Sequence, residues 1–218
     1  RIAQYYSLPI STVVTEIRRL GLNRLSSLEP PRPVVRYERE RPGELVHLDI
    51  KKLGKIGRVG HRIHGNRRTR VHGIGWEYTH TAIDDHSRLA YAEVLVDETA
   101  ETTAGFLRRA VAWYAAHGIA VERLLTDNGS AYRSTHFATV ALELGISQRF
   151  TQAYRPQTNG KAERFIRTLL TEWAYATAYG RSARRTSALP IYLTYYNFHR
   201  RHSALNDQPP ASRLPVAL

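Results

Sequence analysis

Cysteine is missing altogether, which excludes disulfides, zinc fingers and thiol catalysis. Long apolar runs are missing too, since no stretch nears the ~20 residues that a membrane-crossing helix needs. The start carries no signal-peptide pattern, and neither an internal repeat nor a low-complexity segment is present. Lysine is scarce, with four residues against 28 arginines. Acid is under-represented, with 19 acidic against 32 basic residues, a net charge of +13 and a pI near 10.3. At 218 residues, 42% of them hydrophobic, the chain can bury one substantial core with small appendages.

So basic a balance favours a polyanionic partner, a nucleic acid or an anionic surface. The excess is concentrated. Residues 51–70 hold Lys51, Lys52, Lys55, Arg58, Arg62, Arg67, Arg68 and Arg70 without a single acid. Four interspersed glycines predict a flexible loop or long hairpin there, suited to DNA phosphates. A solvated charged loop is the plainer alternative.

Four segments follow from the pattern. Residues 1–25 read as two short helices around a turn, with Ser11 as an N-cap and Gly21 as a C-cap. They look like the later half of a helix-turn-helix, with Arg18 and Arg19 placed for DNA, and an isolated amphipathic helix accounts for the same residues. No Met opens the chain, and the motif lacks its front, so a piece of a longer protein is expected. Residues 26–43, with four prolines, predict an extended linker. Residues 44–180 predict a core: a strand around Asp49, strands 74–83 and 89–96, and a helix over 101–117. A strand to Thr126, a helix over 134–144, a strand over 146–151 and a helix from Lys161 to about Ala178 complete it. Residues 181–218 predict a C-terminal helical extension, its helix near 189–199. This succession gives an α/β fold with helices on both faces of a mixed five-stranded sheet.

Three acids stand in readable contexts. Asp49 lies in the apolar run Leu45-Val46-His47-Leu48-Asp49-Ile50, and Asp127 ends a second strand-like run before the turn-forming Asn128-Gly129. Glu163 follows with thirty-five residues in between, just after the breaker-rich Arg155–Gly160, at the start of a helix. Two carboxylates at strand positions and one on a nearby helix can converge, and oxygen-rich sites suit Mg²⁺ or Mn²⁺. Without a cation such acids would repel each other and raise one another's pKa. In these motifs the chain resembles the retroviral-integrase-like Asp-Asp-Glu transposases of bacterial insertion sequences, which have a ribonuclease-H-like fold. The resemblance covers most of residues 44–205. It implies two metal ions, with Asp49 bridging both, Asp127 holding one and Glu163 the other. It also implies a polynucleotidyl transferase that cuts transposon ends and joins the 3′-hydroxyls to target DNA. A homodimer or larger assembly on DNA in the bacterial cytoplasm, at the nucleoid, goes with that activity.

Asn128, Lys161 and Arg164 flank the acids and are expected to touch DNA. The run Tyr196–Leu205 resembles the family's tyrosine-asparagine-arginine-histidine motif, with Arg200 and His202 either gripping DNA or docking the last helix. Arg201 stands where relatives commonly carry proline. Asp84 and Asp85 read as turn residues rather than ligands. The histidines, with no Cys and no tight pair beside an acid, make a poor zinc set. Two other functions stay open: a ribonuclease-H-type or structure-selective nuclease that does not join, and a catalytically inactive DNA-binding relic.

Overall fold

The computed structural model describes residues 2–24, 37–57, 73–151 and 159–214. The chain forms two compact units, dividing between Tyr37 and Glu38. In the first unit α1 (Ile2–Tyr5) precedes α2 (Ile10–Arg19). Helix α2 starts one residue before Ser11, with Pro9 at the N-cap and no capping side chain. Pro9, at φ −59°, leads the chain into the helix and places Ser11 inside the first turn. The far end matches expectation. Gly21, at φ +70°, donates to Arg18 and Leu22 donates to Ile17, which together satisfy the last carbonyls.

The second unit holds β1 (Val46–Gly54), β2 (Trp76–Asp84), β3 (Ala90–Leu95), α3 (Ala100–Ala116), β4 (Arg123–Thr126), α4 (Thr135–Glu143), β5 (Ser147–Phe150), α5 (Gly160–Leu169) and α6 (Ser182–Phe198). The sheet order is β3-β2-β1-β4-β5. The β1–β2 and β2–β3 pairs are antiparallel, while β1–β4 and β4–β5 are parallel. Alternation along β1 sorts its side chains between two cores. Val46 and Leu48 join Phe106, Leu107 and Tyr114 of α3 and Phe137 and Val140 of α4. Leu53 faces the other way, with Phe165 and Leu169 of α5 and Leu189, Tyr192 and Tyr196 of α6. Helices therefore cover both faces, in the ribonuclease-H-like arrangement.

Two helix boundaries differ from the expected ones. Helix α5 gives way at Leu170 to a π-helical turn, Leu170–Ala174, instead of running to Ala178. The wider turn buries Leu169, Trp173 and Ala174 together, and Trp173 Nε1 donates to the Arg185 carbonyl at 2.9 Å. Helix α6 begins at Ser182 rather than near Leu189 and carries Pro190 inside it. Pro190 cannot donate to the carbonyl four residues back, but its position is exposed, so water can serve there.

Residues 38–43 are tied to the second unit. Gly43 donates to Asp84 Oδ1 at 2.7 Å, and Glu122 donates to the Gly43 carbonyl at 2.8 Å. Gly43 has φ +83°, and a Cβ there would come within 2.0 Å of the Ala120 carbonyl oxygen, so only glycine fits.

Candidate active site

Strand register brings the first two acids together. In the parallel β1–β4 pair Val46 lies opposite Leu124 and His47 opposite Leu125. Two residues further along each chain stand Asp49, in β1, and Asp127, just past the end of β4. The Asp49 Oδ1 accepts the Ile50 N–H at 2.7 Å, and Thr81 Oγ1 donates to its main-chain carbonyl at 2.9 Å. Asp127 is exposed, and its Oδ1 accepts the Gly129 N–H at 2.9 Å. A side chain at position 129 would press on that oxygen. Glu163 is exposed in the first turn of α5, where the helix dipole favours a carboxylate. Buried Ala162, Phe165 and Leu169 hold α5 on the sheet.

These acids sense one another. Burial pushes the Asp49 carboxyl up to about 6, and the negative charges of Asp127 and Glu163 push the same way. Burial is the larger cause, and the two other carboxylates add to it. Three carboxylates form a hard oxygen donor set of the kind that fits Mg²⁺ or Mn²⁺. Among the described residues, however, no three His, Asp or Glu side chains are drawn closely enough around one point to hold an ion as they stand. The donor chemistry fits a divalent cation.

The other expected contact residues fall into three groups. Arg18, Arg19, Lys55 and Arg164 are exposed. Lys52 is exposed and lies over the rings of Trp76 and Tyr78, at 5.0 and 5.4 Å, and Lys51 beside it is half-buried. Asn128 donates to the Thr151 carbonyl at 2.9 Å. Arg58, Arg62, Arg67, Arg68 and Arg70 lie outside the described residues, as do residues 155–158 of the loop before Glu163. The remaining group is turned toward protein partners. Lys161 Nζ meets Asp85 at 2.5 Å, Arg200 pairs with Glu172 at 2.7 Å, and His202 stands edge-on to Tyr196 at 4.8 Å.

Asp84 and Asp85 lie at the β2–β3 connection, but both are fully buried and do more than shape a turn. Asp84 Oδ2 accepts from the Ser87 N–H and hydroxyl, each at 2.7 Å. Asp85 takes His47, Lys161 and the Arg39 N–H. Burial alone would raise the Asp85 carboxyl, but those hydrogen bonds outweigh it and hold the group well below the usual range. The available signal was polar residues spaced two before each acid, His47 and Lys161, on elements that must face inward. Asn197 has a second buried role. Its side chain donates to the Ala90 carbonyl and accepts the Ala90 N–H, both at 2.8 Å, docking α6 on the edge strand β3.

A mixed sheet in this order, with one carboxylate within β1, one just past the end of the neighbouring β4 and one on the facing helix, defines a ribonuclease-H-like core with an acidic site. The chain belongs to the integrase core domain family, which matches residues 39–156, with a second integrase core domain match over residues 144–210. It is 31% identical over 90 residues, 41% of its length, to the InsD transposase of Escherichia coli insertion element IS2, covering 30% of that protein. It is 27% identical over 146 residues, 61% of its length, to the candidate integrase ORF3 of Spiroplasma virus SpV1-C74, covering 40% of it. The chain spans less than half the length of these curated relatives. The fold resembles the catalytic core of BIV integrase, with TM-score 0.53 and 21% identity, over 78% of this chain and 92% of that one. It also resembles the HTLV-2 integrase catalytic core solved in complex with magnesium, with TM-score 0.57 and 14% identity, over 81% and 99%.

Proposed function

We propose that the chain is the catalytic core of a DNA transposase or integrase that cuts transposon ends and transfers the 3′-hydroxyls into target DNA. One arrangement supports this reading: the parallel register that sets Val46 opposite Leu124 and His47 opposite Leu125 puts Asp49 and Asp127 at neighbouring strands, and Ala162, Phe165 and Leu169 pack the helix carrying Glu163 on the same sheet. Asp49, Asp127 and Glu163 would hold two Mg²⁺ or Mn²⁺ ions. Such a pair, when bound, activates the attacking water or hydroxyl and steadies the leaving oxygen. The chain's own contribution is orientation. Backbone amides of Ile50 and Gly129 fix one oxygen of each aspartate, and the α5 dipole favours the Glu163 carboxylate. Arg164, exposed beside Glu163, and the basic segment from Lys51 to Arg70 supply phosphate contacts, in keeping with the net charge of +13. DNA is the partner, held by a dimer or larger assembly at the nucleoid, because two ends must be joined together.

The test uses duplexes taken from the DNA that flanks the gene on either side, with Mg²⁺ or Mn²⁺. Asp49→Asn, Asp127→Asn and Glu163→Gln should each abolish cleavage and joining while leaving duplex binding near the wild-type level. Turnover close to wild type in any one variant removes that residue from the site. Cleavage without joining by the unaltered protein identifies a nuclease, and binding without cleavage identifies a relic.

A further inference from the structure

Asp85 is buried and charged, and the proposed chemistry makes no use of it. Its Oδ1 meets His47 Nε2 at 2.8 Å and Lys161 Nζ at 2.5 Å, while its Oδ2 accepts the Arg39 N–H at 2.8 Å. The partners' places matter. His47 stands two residues before Asp49, on the same face of β1, and Lys161 stands two residues before Glu163, in the first turn of α5. A single carboxylate therefore grips both elements, each time at the same short distance along the chain from an acid.

The start of α5 meets the same cluster a second time. Asn159, at the N-cap position, makes no side-chain cap bond. Its Oδ1 instead lies 3.2 Å from His47 Nδ1, extending the buried cluster from Asp85 through the ring to the helix start. Further along, α5 is held by apolar packing of Phe165 and Leu169, which owes nothing to Asp85. In the first turn, where Glu163 sits, Ala162 is buried with them, so the grip of Asp85 adds to one small apolar contact there, and losing it loosens that turn while Phe165 and Leu169 keep the rest of the helix docked.

We infer that Asp85 is a positioning residue, which pins the first turn of α5 to β1 and so sets Glu163 at its working distance from Asp49. The inference rests on the reading of Asp49 and Glu163 as parts of one metal site. In this arrangement Asp85 binds no ion itself, since both of its oxygens are taken by donors of the protein.

The experiment compares wild type, Asp85→Asn, Lys161→Met and Lys161→Arg for melting temperature, amide hydrogen exchange and Mn²⁺ affinity by electron paramagnetic resonance. Lys161→Met keeps the Asp85–His47 pair, so it stays informative if Asp85→Asn folds poorly. The amides of Arg164–Arg167 close on carbonyls of the first turn, so their exchange reports its opening. In Asp85→Asn and Lys161→Met that exchange should rise at least about tenfold, with α3 unchanged, and Mn²⁺ affinity should fall about ten- to hundredfold, the range for groups that orient metal ligands. Lys161→Arg should recover most of both. Folded Lys161→Met with wild-type exchange in Arg164–Arg167 and wild-type Mn²⁺ affinity overturns the inference. So does equal loosening of α3, which marks a general loss of stability. Absence of Mn²⁺ binding in wild type sinks the metal-site reading instead, and exchange alone then decides whether Asp85 pins the turn.

Discussion

Replacing Asp49 by Asn should stabilise the metal-free protein at neutral pH. The Asp49 carboxyl moves from its ordinary 3.8 to about 6 in the folded chain, through burial and then through Asp127 and Glu163. The folded state therefore holds this proton more tightly than the unfolded state does. The sign follows: the cost of ionising Asp49 is absent below about pH 3.8, grows as pH rises toward 6, and is constant above it. At about 1.4 kcal/mol for each tenfold in proton affinity, the ceiling is roughly 3 kcal/mol, and partial solvation of the site brings the expected value to about 1–2 kcal/mol. Asn suits the test because its side-chain oxygen can still accept the Ile50 N–H while carrying no charge. Urea unfolding of both proteins in a chelator, from pH 4 to 7, isolates this group because the other carboxylates are common to both. The variant should match wild type near pH 4 and exceed it at pH 7, and saturating Mg²⁺ should erase the advantage. A variant less stable than wild type at pH 7, or a difference that ignores pH, would refute this account of the acidic site.

Two further outcomes concern other residues. Asn197→Ala should lower stability by about 2–4 kcal/mol in chemical unfolding, because the Ala90 N–H and carbonyl lose buried partners, and Asn197→Asp should do nearly as badly because a carboxylate cannot donate to that carbonyl. Neutralising Arg67, Arg68 and Arg70 together should weaken binding to all DNA sequences and flatten the log–log salt dependence by about 0.9 for each lost phosphate contact, with Mn²⁺ affinity unchanged.

The order of strands and helices in the core was legible because alternation, helical periodicity and glycine stops agree within each element. The places of the acids on those elements were legible for a similar reason, since Asp49 lies within an apolar run, Asp127 follows one and Glu163 stands at the start of a helix. Helix α6 was read too short because Pro190 looks like a first-turn residue, and nothing local shows that its side of the helix faces water. The π turn after Leu169 was hidden because its cause, the docking of Trp173 on Arg185, is a contact with the next helix. Asp85 was underestimated on the same grounds. A pair of aspartates between two strands reads as a turn until His47, Arg39 and Lys161, which are remote along the chain, are seen to converge on it.

The parallel β1–β4 pairing also bears on how the molecule comes into being. Asp49 and Asp127 meet only when Val46 and His47 find Leu124 and Leu125, across an intervening hairpin and helix. Contacts so far apart in sequence form late, after loop-closure entropy has been met by the local β1–β2–β3 meander. A chain emerging from the ribosome can thus complete that antiparallel half before it owns a second acid, and α5, with the third, emerges later still. The three acids would come together in one step at the end of folding, so a partly folded chain would not present the complete acidic set.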